Sequence, residues 1–436
     1  MRRAHSNTRR VIALASLVAA PLLTAFLSPA AAGAQRGTAR TAVLPGITVL
    51  VRDSLAVLKN ARVGLVTNQT GIDERGQSDI DVLFAALPKV GGSLTVLFSP
   101  EHGIRGTEDR ANVADERDAK TKLPIVSLFT TQAVPPPDSA LRALDAIAVD
   151  LFDIGTRTWT YVGTMVYTMR AAARIGIPVY VLDRPNPLTG RTEGPMLDAA
   201  LANPDDPSPD RPGRAYALYA APLRHGMTMG ELARWFNDEL KIGANLHVIP
   251  VRGWTRSLWW DDTGIPWVKP SPNIPSLTSA LLYPALVAFE GSNVSVGRGT
   301  PAAFQRFGAP WMNADSVARL LTRQSLGGVT FTAESFTPQS PGDGKYAGRR
   351  IPGVRVDVTA RDRVQVARVG AAILWVLGRV HPDSLRITPA TFDERFGSAA
   401  VRTALLGGQD PDDVVDQEVA RAVAWQQQVR KYLLYR

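Results

Sequence analysis

Five short runs of apolar sequence, each closed by polar residues and set apart from the next by other texture, constrain this chain more than any other feature. They are Arg62 to Thr67, Ser93 to Phe98, Pro124 to Leu128, Ala146 to Phe152 and Pro178 to Leu182. None alternates cleanly between apolar and polar residues, so both faces must be covered, which is the condition of strands inside a parallel sheet. Helical patterns lie among them at Asp79 to Leu87, Asp138 to Leu144 and Tyr161 to Ile175. This β-α-β-α order predicts an α/β fold with a Rossmann-like, doubly wound, mostly parallel sheet.

Past Asp183 the texture changes. Asn203 to Pro212 reads as an exposed Pro-rich loop, and Thr228-Met229-Gly230-Glu231 as a capping box that opens a helix to about Leu240. A strand at Leu246 to Val251, a Trp-rich covering loop at Gly253 to Trp267 and a helix at Ser276 to Phe289 follow. Gly291 to Thr300 reads as a boundary or a site loop. Helices at Ser316 to Gln324, Gln365 to Leu377 and Pro411 to Leu434, with strands at Val329 to Phe336 and Val354 to Val358, predict a smaller C-terminal α+β domain. The expected organisation is a sheet domain over residues 45–300 and the smaller domain over 301–436, preceded by a linker at 35–44.

Residues 1–34 read as a leader: Arg2, Arg3, Arg9 and Arg10 precede an apolar run from Val11 to Leu27, and the triplet Ala32-Gly33-Ala34 fits cleavage before Gln35. The alternative is an uncleaved anchor, but Pro21 interrupts the run and it is short for a span. Arg9-Arg10 after Thr8 is also compatible with a twin-arginine signal. Export to the periplasm or exterior, with no stable membrane insertion after cleavage, is the expectation. The chain has no cysteine, so disulfides, thiolate metal sites and a cysteine nucleophile are all excluded. Its formal charge of +9 falls to +5 once the leader, with its four arginines and no acids, is set aside. Basic residues are scattered, so a nucleic-acid partner is not expected.

Ligands of open parallel sheets gather beyond the carboxyl ends of the strands. Here those ends run into Asn68, into Glu101-His102 with Arg105 close behind, into Asp153 and Arg157, and into Asp183-Arg184-Pro185-Asn186. Any one of these could be a wet loop or a turn former; together they deliver acids, amides, an imidazole and guanidinium groups to one rim. Glycoside hydrolysis needs a carboxylic acid to protonate the leaving oxygen and a second group as nucleophile or base. Glu101, following an apolar strand directly, is the candidate proton donor; a helix-terminal charge or an ion pair with Arg105 is its structural alternative. Glu193 and Asp153 are the candidates for the second carboxylate, and Asp150, inside its strand, reads as a positioning group. Arginine matches a carboxylate with its planar fork, so Arg105, Arg157, Arg184, Arg224 and Arg298 are candidates to hold an acidic sugar, with Trp159, Tyr161 and Trp267 as stacking faces. No G-x-G-x-x-G follows the first strand, and there is no Walker loop, G-x-S-x-G elbow or H-E-x-x-H motif. No cofactor or metal is expected.

Taken in order, several segments resemble a known family. They include Val63 to Gly71, Ser99-Pro100-Glu101-His102-Gly103-Ile104-Arg105-Gly106, Asp150 to Arg157, Leu182 to Leu188, Pro222 to Thr228, Pro270-Ser271-Pro272-Asn273-Ile274-Pro275, Glu290 to Thr300, Phe307 to Trp311, Lys345-Tyr346 and Tyr432 to Tyr435. The set is similar to the exo-β-N-acetylmuramidases and covers nearly all of the chain after the leader. The resemblance implies a Rossmann-like catalytic domain with a smaller C-terminal one, and release of N-acetylmuramic acid from non-reducing ends of peptidoglycan fragments. It places Glu101 and Glu193 on the family's acidic positions and adds His225, Asn273 and Asn293 to the candidate substrate-binding residues. One departure is Arg350-Ile351, where many relatives carry a cysteine; it bears on local packing. Two other readings stay open at this point: a non-catalytic binder of muramyl sugar, and an esterase for a cell-wall sugar. Oligomeric state is left open.

Overall fold

The computed structural model describes residues 42–104, 116–129, 133–205 and 214–436. The expected leader, Arg105 and most of the Pro-rich loop lie outside the described residues. Among the described residues twelve strands run β1 Arg62–Thr67, β2 Ser93–Ser99, β3 Glu116–Arg117, β4 Pro124–Ser127, β5 Ala146–Asp150, β6 Val179–Leu182, β7 Glu193–Met196, β8 Pro222–Arg224, β9 Leu246–Ile249, β10 Arg306–Gly308, β11 Val329–Phe336 and β12 Ile351–Val358. The main sheet has the order β3-β4-β2-β1-β5-β6-β9. All its neighbours pair in parallel except the short edge strand β3, which runs antiparallel to β4.

Within these strands the side chains divide cleanly between two cores. Val66, Ile147, Val149, Val179 and Val181 enter the larger one, beside the helices Tyr161–Ile175 and Met229–Glu239. Val63, Leu65, Ala146, Ala148, Tyr180 and Leu182 enter the smaller one, with Ile47, Leu50, Ile80 and Leu83. Alternate residues point to opposite faces, and here both faces are apolar, which is why the runs lack alternation in the sequence. From β1 the chain builds outward through β2 to β4, then returns to add β5, β6 and β9 on the other side. The order therefore reverses beside β1, the kind of position at which ligands gather beyond the carboxyl ends of the strands.

The capping box at Thr228 forms as expected, its hydroxyl accepting from the Glu231 N–H while the Glu231 carboxylate accepts from the Thr228 N–H. The Trp-rich segment is irregular but not loose: Trp254, Trp259 and Trp260 are buried, and Trp260 and Trp267 pack on Phe152 with ring centroids 4.4 and 5.7 Å away. Downstream, β10, β12 and β11 form an antiparallel sheet, with helices Ala314–Arg323 and Val366–Val380 completing the smaller α+β region. Helix Leu277–Leu286 crosses Val366–Val380 closely; a Cβ on Gly370 would stand 2.9 Å from the Ala285 carbonyl oxygen. Three sequence expectations are corrected here. The helix expected to Leu144 ends at Leu141, the one expected to Leu434 ends at Val429, and helices Pro389–Phe396 and Ala399–Leu406, absent from the sequence reading, are present. These two helices have eight residues each, so their apolar periodicity spans barely two turns.

Candidate active site

A cavity of about 220 Å³ opens beyond the ends of β2 and β5. One wall is Glu101-His102, where the chain leaves β2 through consecutive left-handed residues, His102 and Gly103, both at φ 72°. A non-glycine residue held at positive φ is strained, a feature that gathers at functional sites. A second wall is Thr158-Trp159-Thr160, delivered by the loop after β5 and leading into helix Tyr161–Ile175. The two walls are joined by the Thr160 hydroxyl, which donates to Glu101 Oε2 at 2.5 Å. Behind them the Tyr161 hydroxyl lies 2.9 Å from the Pro270 carbonyl oxygen and 3.3 Å from that of Glu101. Burial first, and the nearby Glu101 second, push the Tyr161 phenol well above its ordinary value, so it stays a hydrogen-bond donor. Ser271 and Asn273 continue the rim on the segment that follows Pro270.

The opposite wall comes from the smaller region and holds a second carboxylate. Glu290 shares the cavity with Arg298, Arg395 and Tyr283. Arg298 approaches Glu290 Oε1 with Nε at 2.7 Å and Nη2 at 2.6 Å, while Arg395 Nε lies 3.5 Å from Oε2. Burial works to raise the Glu290 carboxyl, but the two guanidinium groups and the Arg298 hydrogen bond outweigh it and hold it below the ordinary value. Lys345 supports this wall from beneath, its Nζ donating to the carbonyls of Phe289, Glu290 and Val294 at 3.2, 2.9 and 3.2 Å. The Tyr346 hydroxyl donates to the Asn293 carbonyl at 2.6 Å, so the Lys345-Tyr346 pair braces the Glu290 segment.

Of the residues singled out from the sequence, Glu101, His102, Trp159, Asn273 and Arg298 line this cavity, and Tyr161 stands directly behind it. The others among the described residues are placed elsewhere, each with a partner. Asp150 and Arg184 form an ion pair in the interior, their side chains 0% and 1% exposed. Asp79, hydrogen-bonded by Thr67, is pushed well above the ordinary carboxyl range by burial and by neighbouring Asp150. Asp153 Oδ2 accepts from the Gly155 N–H at 2.8 Å and lies 3.0 Å from His225 Nε2, with His225 Nδ1 accepting from the Met227 N–H. Gly155, at φ 79°, has no room for a side chain, since a Cβ would come within 2.6 Å of Asn186 Oδ1. Asn186 itself holds the turn, Oδ1 accepting from the Leu188 N–H and Nδ2 donating to the Met227 carbonyl. Asn68 Oδ1 accepts from both the N–H and the hydroxyl of Thr70. Asn293 spans the segment at 384–386, donating to the Ser384 carbonyl and accepting from the Arg386 N–H.

Three further placements bear on the chemistry. Arg157, fully buried, donates to the carbonyls of Tyr216, Glu394 and Arg395 and so fixes the end of helix Pro389–Phe396. Asp183 accepts from the N–H groups of Arg184 and Gly230 and from the hydroxyls of Thr228 and Tyr435; burial still raises its carboxyl to about 7. Glu193 is ion-paired with buried Arg224 at 2.8 Å and accepts from the Val366 N–H at 2.8 Å. It borders a different hollow, against Arg368, Val419 and Val423, so neither Glu193 nor Asp153 faces Glu101 across the cavity. Glu290 takes that place. Glu290, Arg395 and Thr160 are not among the residues that the sequence singles out, although Glu290 directly precedes the Gly-rich stretch Gly291 to Thr300 that reads as a boundary or site loop.

Among the described residues no group of three or more His, Asp or Glu side chains is placed to hold a metal ion. What the fold and cavity define is a Rossmann-like α/β protein whose strand-end crevice, closed by a smaller α+β region, sets one carboxyl group against another that is clamped by arginines. The chain belongs to the NamZ exo-beta-N-acetylmuramidase family: residues 63–278 match its N-terminal model and residues 281–435 its C-terminal model. The peptidoglycan beta-N-acetylmuramidase NamZ of Bacillus subtilis (strain 168) is 37% identical over 396 residues, covering 90% of this chain and 91% of that one. Two crystal structures of DUF1343 family proteins from Bacteroides fragilis superpose with TM-scores of 0.79 and 0.71, at 31% and 27% identity. Each alignment covers 91% of this chain, and 100% and 99% of the respective neighbours.

Proposed function

We infer that this protein is an exported glycoside hydrolase that removes N-acetylmuramic acid from the non-reducing ends of peptidoglycan fragments. Membership of the exo-muramidase family over both of its segments supports the activity, and the observation that carries the residue assignment is the pairing of Glu101 with Glu290 around one cavity. Glu101 is the proton donor to the departing glycosidic oxygen, oriented by the Thr160 hydroxyl at 2.5 Å. Glu290, kept ionised by Arg298 and Arg395, supplies fixed negative charge near the oxocarbenium character of the transition state. The strained His102-Gly103 turn aims Glu101 into the cavity instead of along the strand. Export belongs to the same reading: the arginines ahead of Val11 to Leu27 and the small residues at Ala32-Gly33-Ala34 support a cleaved leader, which takes the enzyme to its polymer. The test is release of chromophore from 4-nitrophenyl β-N-acetylmuramide, and of free N-acetylmuramic acid from muramyl disaccharides. Purified protein that leaves both intact overturns the activity; hydrolysis that survives Glu101→Gln undiminished overturns the assignment of the donor.

A further inference from the structure

We propose that Arg395 is the residue that selects a sugar bearing a carboxylate, by binding the lactyl group that distinguishes N-acetylmuramic acid from N-acetylglucosamine. The proposal rests on the muramidase reading and adds the specificity element to it. Both arginines of the cavity touch Glu290, but they are not used alike. Arg298 commits two nitrogens of its fork, Nε and Nη2, to Glu290 Oε1. Arg395 touches the same carboxylate only through Nε, at 3.5 Å, and spends Nη1 on the Thr391 carbonyl at 3.2 Å. Its Nη2 has no hydrogen-bond partner among the described residues, on a side chain 19% exposed at the cavity.

The charge balance points the same way. Arg298, Arg395 and Lys345 surround this wall, against Glu290 and the more distant Asp343, which is 3.7 Å from Lys345 Nζ. On this wall three cations therefore stand against two acids. A half-buried cation in that position favours an anionic ligand and is left poorly paired by a neutral one. Arg395 is also held ready. Its guanidinium carbon lies 4.6 Å from the centre of the Tyr216 ring, and its backbone carbonyl accepts from buried Arg157 at 2.9 Å. Stacking and a fixed helix end leave little freedom to lose on binding. Of the other arginines proposed from the sequence, Arg157, Arg184 and Arg224 cannot serve, since they are buried on protein carbonyls and carboxylates away from the lining.

The experiment edits protein and ligand together: wild type, Arg395→Met and Arg395→Lys, each assayed with 4-nitrophenyl β-N-acetylmuramide and with the methyl ester of its lactyl group. A charge-assisted hydrogen bond predicts that wild type prefers the acid over the ester by roughly 10- to 100-fold in kcat/KM. Arg395→Met should lose that preference, the acid falling further than the ester and chiefly through a raised KM, while any loss from the weakened clamp on Glu290 falls on kcat for both substrates alike; Arg395→Lys should retain part of the preference. Equal losses on acid and ester, or no loss on either, would overturn the proposal. Unfolding midpoints of the variants separate misfolding from altered recognition. Should wild type cleave neither substrate, the muramidase reading fails, and calorimetric binding of free N-acetylmuramic acid against its methyl ester still judges Arg395. Equal affinities there, or no binding, would refute it.

Discussion

Replacing Glu193 distinguishes a structural acid from a catalytic one. In Glu193→Gln the side chain keeps its shape while Arg224, 0% exposed, loses its nearest negative charge. Removing one partner of a buried ion pair typically costs about 3–5 kcal/mol, because the charge that stays behind is uncompensated. Arg224 would keep the Leu188 carbonyl, the Thr189 hydroxyl and the face of Trp259, so the lower end, about 3 kcal/mol, is expected. Glu193→Ala also strips the acceptor from the Val366 N–H at the start of helix Val366–Val380, adding about 1–2 kcal/mol. With about 2.1 cal/mol/K of unfolding entropy per residue over roughly 400 residues, each kcal/mol shifts Tm by about 1.2 °C. The expected falls are therefore about 4 °C for the glutamine variant and about 5–6 °C for the alanine variant. Thermal unfolding followed by circular dichroism reads the shift, and hydrolysis of the chromogenic muramide well below the transition should proceed at near wild-type kcat. A Tm unchanged within about 1 °C together with a kcat lowered more than about 100-fold would mean that Glu193 works on the substrate, and the reasoning would fail.

Glu101→Gln should lower kcat by roughly 10²- to 10⁴-fold without moving Tm by more than about 2 °C, as expected for loss of a general acid; steady-state kinetics and a melt check both. Asp183 has a folded-state value near 7 against 3.8 for the free side chain, so the native state holds the extra proton between these limits. Its contribution to stability is complete below about pH 4 and is lost as pH rises through 7, so wild type should lose about 4 kcal/mol relative to Asp183→Asn across that window. Urea unfolding of both proteins at several pH values measures the difference, and a flat one would sink the claim. Arg157→Met leaves the carbonyls of Tyr216, Glu394 and Arg395 without their donor, which should cost about 3 kcal/mol or more. Because it frees the helix end that carries Arg395, KM for the muramide should also rise; an unchanged KM would show that the helix end needs no such anchor.

The sheet was legible because its physics is local. A strand covered on both faces has to be apolar at every position, and Arg62 to Thr67 or Ala146 to Asp150 can be recognised from that alone. Glu101 was legible for a related reason, as the acid placed directly where β2 ends. The arginines were not. Arg157, Arg184, Arg224 and Arg298 look alike in a sequence, yet the first three serve interior carbonyls and carboxylates while Arg298 faces the cavity. A charged side chain takes its role from its partner, and the partner comes from another part of the chain.

What the amino-acid order determined by itself was therefore the layered sheet, the direction of its strands and the rim at which ligands would gather. The tertiary structure decided which acids share that rim. Helix Pro389–Phe396 brings Arg395 to the cavity by packing Phe392 on Phe289, with ring centroids 5.6 Å apart, while β7 and β8 draw Glu193 away to Arg224. Local periodicity reports how each segment is covered; only the packing of distant segments brings charges together, and it is this meeting of charges that assigns the roles of Glu101, Glu290 and Arg395.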